Sequence, residues 1–203
     1  MKTAPALALV EFDDIAAGVF ATDAMLKKAP IAFVRSGTIT RGRYLTLIGG
    51  STASVEVSLA EGLASAGRSV VDHLLLADVH PRVFAAMCGS RLPGGSGALA
   101  VIETDTVAAV VRAAELALKG TPVELVEIRL ADAGLAGKGL SVYRGDLHDV
   151  EAAVAIVERA VRQRGGAVRH RILPSPHEAI ARQMASGSAF AQAELLDLGG
   201  EAG

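Results

Sequence analysis

Apolar and polar positions follow two rhythms along the chain. Residues 6–12 form a short apolar run between Pro5 and the pair Asp13–Asp14, the length of a buried strand. An Ala-rich stretch then reaches Lys28, with acids at its start and lysines at its end, as helix capping and the helix dipole favour. Pro30 stops it, and 31–35 reads as a second strand. A loop containing Gly and Thr leads to a third strand over 44–48. Gly49 and Gly50 turn into a helix over 52–66, with Ser51 as its N-cap. A fourth strand over 70–76 and a short helix over 81–87 complete the unit. The same order then returns: strand 98–104, helix 106–119, strands 122–130 and 138–144, helix 147–164, strand 168–173 and helix 177–185.

The return is a repeat of residues as well as of rhythm. Ala8, Glu11, Asp13, Val19, Lys27 and Pro30 match Ala100, Glu103, Asp105, Val111, Lys119 and Pro122 at an offset of 92. Past the next loop Gly42, Gly50 and Glu56 match Gly137, Gly145 and Glu151 at 95, and His80 and Met87 match His177 and Met184 at 97. The gaps fall in loops while the elements stay aligned. A repeat this long is a duplicated domain. The stretch rich in Gly and Ser before residue 98 marks the joint. We therefore expect a first domain over 1–88, a linker over 89–97, a second domain over 98–187 and a tail over 188–203. The order βαββαβ predicts an α/β (α+β) chain of two tandem ferredoxin-like units, each an antiparallel sheet covered by helices.

Composition narrows the function. Hydrophobic residues make up 51% of the 203, yet only 3% are aromatic and there is no Trp, so the cores are built from small aliphatic side chains. A net charge of −2 gives no general pull toward nucleic acid or an anionic membrane. One cysteine, Cys88, makes a disulfide within the chain impossible and fits a reducing cytoplasm. No signal peptide and no membrane span is expected, because acids interrupt the first apolar run and no later run is long enough.

A search for chemistry returns little. Gly134, Gly137, Lys138 and Gly139 suggest a phosphate loop, but Asp132 stands where its first glycine belongs, and the stretch precedes a strand. The five histidines show no metal-ligand spacing, so no metal site is expected. His80 and His177 recur beside prolines before the short helices, which favours turn bonding. Glu11 and Glu103 recur at the end of each first strand, where capping a neighbouring backbone or crossing to a subunit fits better than catalysis. Cys88 has no acid or base paired with it in sequence. No enzyme activity is expected.

Specific motifs add a resemblance. Asp23-Ala24-Met25-Leu26-Lys27 resembles the helix end of bacterial microcompartment shell proteins. Ile102-Glu103-Thr104 resembles their first strand end, Tyr143-Arg144-Gly145-Asp146-Leu147 their turn into the second helix, and 172–179 their closing segment. The set spans about residues 6–187, in the unpermuted order of the tandem-domain class, and is similar to the members found in propanediol-utilising compartments.

The resemblance implies a homotrimer whose six domains make a pseudohexameric disc. Such a disc tiles with other shell proteins in the cytoplasm and carries a central pore for small metabolites. It assigns the pore to the loops between second and third strands: Gly37, Thr38, Ile39, Thr40 and Arg41 in one copy, Asp132, Ala133, Gly134, Leu135 and Ala136 in the other. Amides, hydroxyls and Arg41 there would favour polar or anionic solutes. Lys27 and Lys119 match a lysine at tile edges. The similar members have a cysteine where Thr40 stands, and three such cysteines hold an iron–sulfur cluster. Thr40 supplies no thiolate, so no cofactor is expected. The rival reading is a metabolite-binding regulator with duplicated ferredoxin-like domains, by analogy of fold.

Overall fold

The computed structural model describes residues 5–196 and 198–199. In the first copy β1 (Ala6–Phe12) is central, between β3 (Arg43–Gly50) and β4 (Val70–Ala77), with β2 (Phe33–Ile39) outside β3. All pairings are antiparallel. Helices α1 (Ile15–Lys28) and α2 (Thr52–Ala66) pack on each other and on this sheet, and α3 (Pro81–Met87) ends the copy. The second copy repeats the plan with β5 (Ala98–Thr104), α4 (Val107–Gly120), β6 (Glu124–Leu130), β7 (Gly139–Gly145), α5 (Leu147–Arg162), β8 (Val168–Leu173) and α6 (Glu178–Ser186). Its strand order is β6-β7-β5-β8, the image of β2-β3-β1-β4. This is the split βαβ arrangement the element order predicts.

Local signals act as the sequence suggests. Ser51 caps α2 by accepting from the Ser54 N–H, and Asp14 and Thr106 cap α1 and α4 by accepting from Ala17 and Ala109. The Nδ1 atoms of His80 and His177 each accept a backbone N–H two residues on, from Arg82 and Ala179 at 3.2 Å. One element departs from expectation. The second strand, predicted over 31–35, runs Phe33–Ile39 instead, and pairs with β3 as far as Ile39↔Arg43. A Cβ added to Gly37 would meet open space there, and the β-branched pair Thr38–Ile39 continues the strand. The expected tail begins with a single turn, Phe190–Gln192, while 197 and 200–203 lie outside the described residues.

The strand β1 is buried along its whole length. Ala6, Ala8, Val10 and Phe12 join the core under α1 and α2 with Met25, Val55 and Leu59. Leu7 and Leu9 face the other way. They belong to a larger core that also holds Val83 and Phe84 of the first copy and Ile102, Val107, Val111 and Tyr143 of the second. Helix α4 lies against β1 and β4, so the second copy covers the back of the first sheet.

The two copies fill their cores by exchanging large and small residues. Gly18 on α1 passes so close to Tyr44 that a Cβ would sit 2.7 Å from its ring. At the matching places of the second copy stand Val110 and Gly139, and a Cβ on Gly139 would sit 2.4 Å from Val110. Met25 over Gly62 is likewise replaced by Ala117 and Val157. Volume is conserved at each contact while its owner changes.

Candidate functional site

The turn after β2 is Thr40–Gly42, and Arg41 and Gly42 both adopt a φ of 68°. The matching connection in the second copy is the longer loop 131–138, with positive φ at Ala131, Gly134, Ala136 and Gly137. Left-handed backbone is costly for non-glycine residues, so something must hold these loops. Thr40 does much of it. Its N–H donates to the Ala131 carbonyl at 2.9 Å, its hydroxyl donates to the same oxygen at 2.5 Å, and the Gly137 N–H donates to that hydroxyl at 3.0 Å. Turn and loop therefore form one rim shared by both copies.

A second organiser is Arg129, which no local pattern along the chain singles out. Its guanidinium grips Asp132 through Nε at 2.9 Å and through Nη2, and donates to the Ala133 carbonyl at 2.7 Å and Ser188 at 3.2 Å. The bond to Asp132 raises the Arg129 pKa further above its ordinary value. Of the residues expected to be loop, Gly37, Thr38 and Ile39 instead belong to β2. Thr40 and Arg41 lie in the turn, and 132–136 lie in the loop. Arg41, Asp132, Ala133, Gly134 and Ala136 are exposed, whereas Leu135 is half-buried. A cavity of about 660 Å³ opens beside the rim, with Leu9, Leu45 and Leu47 beneath and Arg35, Thr38 and Asp132 at its mouth.

The seam between copies is largely polar bonding around an apolar strip. Glu11, fully buried, takes Arg43 on one oxygen at 2.5 Å and the Val107 N–H on the other at 2.8 Å. Asp72 accepts from the Thr106 hydroxyl at 2.7 Å, and Arg112 lies 3.8 Å from Asp72 while donating to the His73 carbonyl. Glu115 accepts the His80 N–H at 3.1 Å. Arg82 donates to the carbonyls of Leu125 and Val126 at 2.7 and 2.8 Å. Lys119 is held by Glu115 and by the Asp78 carbonyl at 2.8 Å, whereas among the described residues Lys27 pairs only with Asp23 on its own helix.

Among the described residues, Asp146, His148 and Asp149 bring three ligand-type atoms within 4.8 Å at the start of α5. They are largely exposed, and His148 lies 3.1 Å from Asp149. No helix among the described residues is long and apolar enough to cross a membrane.

Comparison with known proteins settles the family. The BMC domain profile matches twice, over 6–82 and 98–176. The chain belongs to the BMC-domain family. The bacterial microcompartment shell protein PduT of Citrobacter freundii is 36% identical over 182 residues, covering 90% of this chain and 98% of that protein. A microcompartment protein from Desulfitobacterium hafniense DCB superposes with a TM-score of 0.75 at 37% identity, covering 87% of this chain and 98% of its own. The fused permuted hexameric shell protein of the RMM microcompartment shares the fold at 22% identity, with a TM-score of 0.56 and coverage of 79% and 83%. This BMC protein is a structural component of a bacterial microcompartment shell. Its relatives give the regulator reading no support.

Proposed function

We propose that three chains close into a pseudohexameric tile of the shell, perforated at its centre and without catalysis of its own. One observation carries this reading. Val107 and Val111 of the second copy are buried in the core shared with the first copy, and their images in the first copy, Ile15 and Val19, are 41% and 50% exposed. The chain holds one complete seam and leaves bare the first-copy face that would make the next. Applying that seam again, from one chain's second copy to the next chain's first, gives a heterologous contact of the kind that closes rings.

In such a ring the rim of Thr40, Arg41 and 131–137 recurs three times around the axis. The exposed Arg41 favours small polar or anionic solutes, since Asp132 is already neutralised by Arg129. Apart from Arg41, the polar side chains of the rim, Thr40 and Asp132, are occupied by structural bonds, which supports a passage in place of a reaction centre. The rim offers no thiolate and the Thr40 hydroxyl is engaged, so the reading includes no iron–sulfur cluster. Lys27 lies on the outward end of α1, where contact with a neighbouring tile would replace its exposed pairing to Asp23. The test is the molar mass by light scattering, followed by electron microscopy of the same sample at high concentration. A mass of three chains and flat arrays or tubes are expected. A monomer or dimer that never assembles would overturn the tile.

A further inference from the structure

The ring has two kinds of seam, one inside each chain and one between chains, and the residues at matching places differ. The offset along the last strand is fixed by register: Glu11 lies opposite Asp72, and Glu103 lies opposite Arg169. Asp72, which accepts from Thr106 within the chain, therefore has Arg169 as its image, and Thr106 has Asp14. Arg112, beside Asp72, has Phe20 as its image. A neutral donor against a carboxylate is thus exchanged for a carboxylate against a guanidinium.

We propose that the seam between chains is specified by an ion pair from Arg169 of one chain to Asp14 in the first copy of a neighbouring chain, with Phe20 of that neighbouring chain packed beside Arg169. The proposal rests on the ring reading. Within the described chain the Arg169 side chain is exposed and has no ion-pair or hydrogen-bond partner, and the Asp14 carboxylate is exposed and serves only its own helix cap. Phe20 is 65% exposed, the most exposed large apolar side chain of the first copy. An aromatic face beside a guanidinium is attractive, where an arginine like Arg112 would repel it.

The exchange also excludes wrong orders. A second copy docked on another second copy would bring Arg169 against Arg112, and a first copy docked on another first copy would bring Asp72 against Asp14. Like charges forced together at a seam disfavour both, so first and second copies must alternate.

Two substitutions separate this from the ring itself. Arg169→Asp places a carboxylate against Asp14 and should weaken trimer formation about tenfold or more, read as the dissociation constant by sedimentation or mass photometry. Asp14→Thr combined with Arg169→Asp recreates the Asp72–Thr106 hydrogen bond without its neighbouring arginine and keeps a helix-capping side chain, so the double variant should recover at least about threefold of the loss. Circular dichroism confirms that each variant is folded. The parent trimer should weaken with added salt more than the double variant does. An Arg169→Asp protein that trimerises like the parent, or a double variant no better than the single, overturns the pairing and leaves the ring standing. A parent chain that is monomeric overturns the ring, and the pairing with it.

Discussion

Glu11 sits at the point where the two copies are tied together. Burial pushes its carboxyl above the ordinary carboxylate value, and this outweighs the Val107 N–H and Arg43, which pull it down. A raised folded pKa means that the native chain holds the proton over a range where the unfolded chain has lost it. The Glu11 contribution is therefore full below the ordinary value and is lost as pH rises through the raised one. Glu11→Gln should remove that slope while keeping an acceptor for Val107, checked by urea denaturation from acid to neutral pH. Glu11→Ala should cost about 3 to 5 kcal/mol, because it leaves the largely buried Arg43 guanidinium with only long bonds to the Asp105 and Gly137 carbonyls and removes the acceptor of the Val107 amide. A Glu11→Ala protein as stable as the parent would show that the bond to α4 contributes nothing. The sequence marks Glu11 and Glu103 as a repeated acid suited to capping. It does not show that Glu11 caps the other copy, because residues 11 and 107 meet only through the fold.

Elements were legible where their signals are local. Helix ends follow from Asp14, Ser51 and Lys28, and each strand from its apolar run. The end of β2 was not, because Gly37 and Thr38 read as loop until pairing with Leu45 and Tyr44 holds them extended. The contact of α1 with β3 was legible only in half: Gly18 announces close approach but not its partner. That partner gives a prediction. Gly18→Val should drive a side chain into Tyr44 and destabilise by about 1 to 3 kcal/mol, as overpacking does. Adding Tyr44→Gly should recover part of the loss, since it recreates the Val110–Gly139 contact. A double-mutant cycle in denaturant measures the coupling, and strictly additive losses would show that the two contacts are not equivalent.

At the scale of the molecule, the duplicated fold was legible because the repeat is, and the shell family because its motifs survive in both copies. The joining of the two copies into one core was not. Leu9 and Val107 share a cluster although nothing in either local pattern names the other. The rim shows the same limit: the loops were named, but their union through Thr40 and Arg129 needs the folded chain. In the proposed ring a threefold axis would multiply what the rim presents, so one substitution there would act three times. Arg41→Glu should reverse the charge preference of the passage from anions toward cations, measured as reversal potentials of the parent and variant in planar bilayers. An unchanged preference would remove Arg41 from the pore.

The exchanges between the copies also bear on inheritance. In a disc of six identical domains, a mutation appears at all six corners at once and must suit every one of them. Fusion into one gene relaxes this, because a corner can change in one half while the other half keeps its old partner. This chain carries the marks of such drift: an added three residues in one loop, a valine traded for a glycine, an arginine where the other copy has an aspartate. Paralogues that meet in the same cell could then sort themselves by which corner they recognise, long before their pores diverge.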